Sequence, residues 1–167
     1  MGYTHYFERD NENKGSAFMF GKLSLDVKKI IDEAQKQGIV IRGGDGTGLP
    51  TFTEGYFSFN GDATDGNDHE TFYWEALPEQ PDWQTKHFAN TERATTVFDF
   101  CKTARKPYDA VVCAVLIRAK VIYGDLVEIR SDGDWDGGGW DEWQEGRRLY
   151  ETVFGEVAPC PMETANA

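Results

Sequence analysis

Positive charge is scarce in this chain. Its 17 lysines and arginines face 29 aspartates and glutamates, which leaves a net charge of −12. A field of that sign does not draw in a phosphate backbone or an anionic bilayer, so general nucleic-acid binding and membrane-surface binding are not expected. Cysteine is scarce too. Cys101, Cys113 and Cys160 are odd in number and show no CxxC spacing, which argues against a disulfide framework and for a reduced, cytoplasmic setting. No stretch reaches the roughly 18 apolar residues of a membrane span. Met1–Asp10 has neither the charged nor the apolar region of a secretion signal, so none is expected. There is no internal repeat and no Walker A, Rossmann or HExxH motif.

The chain does have enough length for a core and an ample supply of aromatic side chains. With 167 residues and 14% aromatics it reads as one domain, residues 1–157, followed by a polar tail, 158–167, expected to be disordered. Tyr3–Phe7 alternates and predicts a strand, with a loop over Glu8–Gly15 and a short strand or docked turn at Phe18–Phe20. The spacing of Val27, Ile30, Ile31 and Ala34 predicts a helix over 24–37, capped by Ser24, with Asp26 in its first turn and Gly38 ending it. Short strands are expected at Ile39–Arg42, Val97–Lys102 and Leu126–Arg130. Tyr56–Asn60 and Glu70–Ala76 read as a long hairpin around a polar turn, and Pro78–Trp83 as irregular. Residues 107–123 are apolar on nearly every side and read as a buried central helix opened by Pro107. Their many β-branched residues leave a strand pair as the alternative. A last helix is expected over 141–154, ended by Gly155, although Gly146 inside it costs about 1 kcal/mol relative to alanine and points to a later start. The fold class is therefore α+β: an antiparallel or mixed sheet packed against about three helices.

The most distinctive chemistry is a basic island ahead of the long apolar run. Lys102, Arg105 and Lys106, with Thr103 and Tyr108, stand where the free N–H groups of a helix starting at Pro107 would point. That arrangement suits a phosphate- or nucleotide-like anion. The competing reading pairs these cations with the chain's own carboxylates in 61–70 or 131–142. Cys101 beside Lys102 could act as a nucleophile if His5, His69 or His87 lay near it; its flanking Phe98 and Phe100 argue instead for simple burial. Asp132, Asp134 and Asp136 with Gly137 repeat the first half of an EF-hand loop and could hold Ca or Mg. The twelfth position, however, is Trp143 rather than glutamate. Asp62, Asp65, Asp68, His69 and Glu70 could ligate a metal or merely form a polar turn. The loop 43–50 is glycine-rich without a Lys-Ser/Thr pair, so it is a weak phosphate cradle. Trp135, Trp140 and Trp143 form either a binding surface or a lid on the core.

The opening MGYTHYF, the stretches GDGTGLPTFTEGYFSFNGD, ETFYW and FDFCKTARKPYDAVVCAVLIRAK, and SDGDWDGGGW with the following Gly146, Arg147, Arg148 and Leu149 carry a resemblance. The chain resembles a group of small bacterial and bacteriophage proteins without an assigned activity. The resemblance covers most of Met1–Gly155, and FCKTARKPYD is its most specific part. It implies a cytoplasmic single domain and a phage or mobile-element origin, and it transfers no catalytic residue. By analogy with small acidic phage proteins it also raises inhibition of a host or defence protein as an alternative. Three functions are thus expected in competition. They are binding of an anionic small molecule at 102–108, inhibition of a host protein through the acidic, tryptophan-rich 132–143 surface, and cation binding at the 132–137 loop.

Overall fold

The computed structural model describes residues 2–137 and 142–162. In chain order its elements are β1 (Thr4–Asp10), α1 (Ala17–Lys36), β2 (Thr51–Phe52), β3 (Tyr56–Phe59), β4 (Phe72–Glu75), α2 (Asp82–Phe88), β5 (Thr96–Lys102), α3 (Asp109–Tyr123), β6 (Val127–Ser131) and α4 (Gln144–Phe154). Two antiparallel three-stranded sheets result, ordered β5-β1-β6 and β2-β3-β4. The fold is a single-domain α+β arrangement.

β1 is the central strand of its sheet, and its alternation decides what faces the core. His5, Phe7 and Arg9 point inward and are buried, while Tyr6 and Glu8 point to the other face. Phe7 packs on Phe72 and Trp74 of the second sheet at ring separations of 5.5 and 5.3 Å, which ties the two sheets into one aromatic core. Across that core lies α3, with Ala110–Ile117 entirely buried. α1 and α4 pack against it. The 107–123 run is therefore a helix, and the strand-pair alternative falls. Pro107 stays outside it, in a turn closed by Asp109 N–H donating to the Lys106 carbonyl at 2.8 Å.

Several expected boundaries move. α1 begins at Ala17 rather than at Ser24, so Phe18–Phe20 is helical. Ser16 is the cap, its hydroxyl accepting from Met19 N–H at 3.2 Å. The apolar stripe simply continues backward through Leu23 and Phe20. Asp26, read as a first-turn acid, sits in mid-helix and is fully buried, held by Arg118 Nε at 2.7 Å. Gly38 does adopt the left-handed conformation (φ 89°), with Ile39 N–H reaching back to the Ala34 carbonyl at 2.9 Å. Glu8–Asp10 extends β1 instead of starting a loop. Ile39–Arg42 contributes one isolated bridge, Arg42 to Asn60, and Pro78–Trp83 leads into a short helix. Of the stretch read as a loose tail, Ala158 is buried and Met162 packs on the core. Residues 163–167 lie outside the described residues.

α4 runs through Gly146 because the glycine has a tertiary role. A Cβ there would stand 2.4 Å from Cys113 Cβ and 3.1 Å from the Ala110 carbonyl oxygen. Absence of a side chain is what lets α4 approach α3. Among the described residues no helix is long and apolar enough to cross a membrane.

Candidate functional site

The inward face of β1, the start of α3 and the end of β6 meet at one buried polar cluster. His5 projects from β1 and is completely buried. Its Nε2 lies 2.7 Å from Asp109 Oδ1 and its Nδ1 lies 2.9 Å from Ser131 Oγ. Asp109 Oδ1 also accepts from the Thr103 hydroxyl at 2.5 Å. Cys113 stands one turn after Asp109 on α3, so both side chains share a helix face. Its Sγ lies 3.6 Å from His5 Nε2 and 3.6 Å from Asp109 Oδ2. Tyr3 and Trp143 close the cluster with edge-on contacts to the imidazole at 5.1 and 5.0 Å.

Counting hydrogen bonds assigns the protons. Ser131 Oγ accepts from Gly133 N–H at 2.9 Å and from the Trp143 indole at 3.3 Å. Both lone pairs are then used, so its proton goes to His5 Nδ1, and Nε2 carries the proton that Asp109 accepts. Burial, with Asp109 next, pushes the Cys113 thiol well up, so the unliganded cluster holds a thiol rather than a thiolate. One group stays unsatisfied. The Tyr3 hydroxyl is buried beside Ser131 and makes no hydrogen bond of ordinary geometry.

The cluster reaches the surface at Asp109. A pocket of about 230 Å³ opens there, lined by Arg105, Lys106, Asp109, Glu142 and Glu145. The loop over it is conformationally unusual, since Ala104 and Arg105 are both left-handed, at φ 52° and 57°. Arg105 pairs with Glu142 at 2.9 Å and lies over the Tyr3 ring at 4.2 Å.

The five residues of the basic island therefore do not converge on one ligand. Arg105 and Lys106 share the pocket, but Lys106 Nζ also donates to the Gly66 carbonyl at 2.8 Å. Thr103 and Tyr108 are fully buried, Thr103 on Asp109 and Tyr108 on the Glu70 carbonyl at 2.6 Å. Lys102 is partly exposed beside Gly2, away from that pocket. The start of α3 is met by Asp109, Glu142 and Glu145, the self-pairing reading rather than an anion cradle.

The other candidates disperse as well. Asp132 accepts from Thr4 N–H at 3.0 Å and Tyr6 at 3.1 Å, while Asp136 pairs with Arg147 at 3.5 Å. Together with Asp134 they form no metal-sized group among the described residues. Asp62 caps a short turn at Thr64, and His69 bonds the Lys102 carbonyl, so the 61–70 residues do not gather either. Gly46 packs against Ala63, which uses up the glycine-rich loop in close packing. Cys101 is buried and bonded to the Glu70 carbonyl, and burial raises its thiol far above the nucleophilic range. Trp143 is core, Trp135 half-buried against it, and Trp140 lies outside the described residues.

His5, Asp109 and Cys113 are the one group of three metal-capable donors among the described residues. Sequence reading weighed His5 as one of three candidate bases for Cys101 and missed its pairing with Asp109. The local signal was there in part: Asp109 and Cys113 are spaced i, i+4 at the head of a helix. No family model, curated protein or solved structure matches the chain.

Proposed function

We propose that the protein binds a divalent transition metal, of zinc type, through His5, Asp109 and Cys113, and that its function centres on that ion. The observation that carries the reading is a distance. Zn–S and Zn–N bonds of ~2.3 and ~2.0 Å at a tetrahedral angle put sulfur and nitrogen ~3.5 Å apart. Cys113 Sγ stands 3.6 Å from His5 Nε2 and 3.6 Å from Asp109 Oδ2. One donor atom from each of the three residues lies within 4.8 Å of the other two. Three protein donors leave a fourth position free, the stoichiometry of catalytic zinc rather than of closed structural zinc.

Two further features support the reading. A metal on Nε2 would leave the neutral imidazole's proton on Nδ1, 2.9 Å from Ser131 Oγ, where it would take the place of the longer Trp143 indole contact at 3.3 Å. The Ser131 hydroxyl is released and can turn to the unsatisfied Tyr3 hydroxyl. The pocket at Asp109 is also carboxylate-rich, which favours entry of a cation. With the ion in place, its charge offsets those carboxylates, and Arg105 and Lys106 become suitable flanking groups for an anionic ligand on the open position.

Titration of the metal-free protein with Co2+ and Zn2+ in competition with a chelator tests this. One equivalent of Co2+ should give tetrahedral visible bands and a thiolate charge-transfer band. Cys113→Ala should abolish the latter while Cys160→Ala keeps it. Saturating Zn2+ should raise the Tm of the wild type, a readout that needs no variant to fold. Absence of stoichiometric binding, or binding indifferent to His5→Gln and Cys113→Ala, overturns the reading.

A further inference from the structure

A second crevice is lined by residues of β1, β4, β5 and the 78–84 segment. Glu70, just ahead of β4, donates its N–H to the Lys102 carbonyl at the end of β5 at 3.2 Å. The cavity of about 220 Å³ has Phe7, Arg9 and Val97 among its lining residues. Glu75, Glu79 and Asp99 line it too, with Tyr73 and Trp83. Trp83 keeps 57% of its surface exposed, so the ring is not used by the core.

The walls are fixed in place. The Gln84 side chain, itself buried, donates to the Phe98 carbonyl at 2.7 Å and accepts from Phe98 N–H at 2.9 Å. It thereby bolts α2 to the free edge of β5. Gln80 adds a bond to the Thr96 carbonyl at 2.8 Å, and Lys14 holds the Pro78 carbonyl at 2.5 Å. Such a crevice exists without a ligand to shape it.

Its charges are unbalanced. Among the described residues none of Glu75, Glu79 and Asp99 makes an ion pair. Arg9 is the sole cation of the lining, one charge against three carboxylates, and its N–H groups are directed to backbone carbonyls. It stacks on Trp74 at 4.6 Å and donates to the Lys14 and Glu75 carbonyls at 3.1 and 2.6 Å. An aromatic ring beside carboxylates without ion-pair partners is the chemistry that recognises organic cations.

We propose that this crevice binds an organic cation, an alkylammonium or guanidinium group set against Trp83 and neutralised by Glu75, Glu79 and Asp99. The site is independent of the metal cluster around His5. Its occupant is either a free amine or a lysine or arginine side chain of a partner; the recognising chemistry is the same.

NMR titration separates the outcomes. Tetramethylammonium and n-butylammonium chloride should shift the Trp83 indole resonance saturably, beyond the effect of sodium chloride at equal ionic strength. Glu75→Gln with Asp99→Asn should weaken binding at least tenfold, and Trp83→Ala should do the same, with Tm showing that each variant is folded. N-acetyl-lysine methylamide binding as well as n-butylammonium assigns the site to a partner's side chain; much weaker binding assigns it to a free amine. Shifts no larger than those with sodium chloride, or affinity unchanged in the folded variants, overturn the proposal.

Discussion

His5 and Asp109 stand 104 positions apart in the chain, yet their side chains meet at 2.7 Å with no solvent between them. The contact joins the central strand of the β5-β1-β6 sheet to the first turn of the buried helix. Everything else in the polar cluster leans on it, since Thr103, Ser131 and Cys113 each bond to one of the two.

Removing the carboxylate should therefore cost far more than a surface change. Asp109→Ala leaves a buried imidazole N–H and the Thr103 hydroxyl without a partner, and should destabilise by about 3 kcal/mol in urea unfolding. Asp109→Asn keeps an acceptor in place and should lose less than half of that. Equal losses in the two variants would show that shape rather than hydrogen bonding governs the position.

Gly146→Ala should destabilise despite alanine's better helix propensity. Propensity favours the change by about 1 kcal/mol, but the new Cβ would have to enter the 2.4 Å space in front of Cys113 Cβ. Overpacking of this kind costs about 1–3 kcal/mol, so a net loss is expected in thermal unfolding. The same variant should weaken Co2+ binding, because it pushes on a proposed ligand. A rise in Tm would mean that the α3–α4 approach is looser than described.

Asp26 is fully buried in α1, with Arg118 at 2.7 Å and the exposed Lys22 and Lys29 at 3.2 and 3.6 Å. Arg118 also lies over Phe154 at 4.0 Å and donates to the Tyr150 hydroxyl, so one ion pair links α1, α3 and α4. Asp26→Ala should cost about 3–5 kcal/mol, as expected when one partner of a buried pair is deleted. Asp26→Ala combined with Arg118→Met should recover a large part of that loss, measured in a double-mutant cycle.

Asp99 predicts a pH effect. The residue keeps solvent contact, but its carboxyl is backed by the crevice walls. Burial raises it to about 6, the Phe100 N–H opposes, Glu75 adds, Arg9 opposes and Glu70 adds. Its unfolded value is about 3.9. The folded state then binds this proton more tightly than the unfolded state, so the group's contribution to stability falls as pH rises from about 4 to about 6 and stays unfavourable above. Asp99→Asn should raise Tm at pH 7 and leave it nearly unchanged at pH 4. A lower Tm at pH 7 would contradict this.

Much of the architecture is legible locally. The stripe from Val27 to Ala34, the all-round apolar run before Tyr123 and the alternation of Tyr3–Phe7 each follow from one element's own periodicity. The start of α1 was missed because Ser24 resembles a cap, while the true cap, Ser16, precedes an exposed phenylalanine that carries no amphipathic signal. The buried polar cluster went unread for a different reason. Charge density along the chain drew attention to Lys102, Arg105 and Lys106, whereas the cluster that assembles is made of single residues from Tyr3, His5, Asp109, Cys113 and Ser131.

Sequence alone determined that this acidic chain folds as α+β around a buried helix, because burial patterns are written in neighbouring residues. Tertiary structure decided the chemistry. Strand pairing turned His5 inward rather than outward, the turn before α3 brought Asp109 under it, and Gly146 allowed α4 close enough to seal Cys113 into the same space. Those are long-range geometric facts, set by register and helix approach, and spacing along the chain does not encode them in readable form.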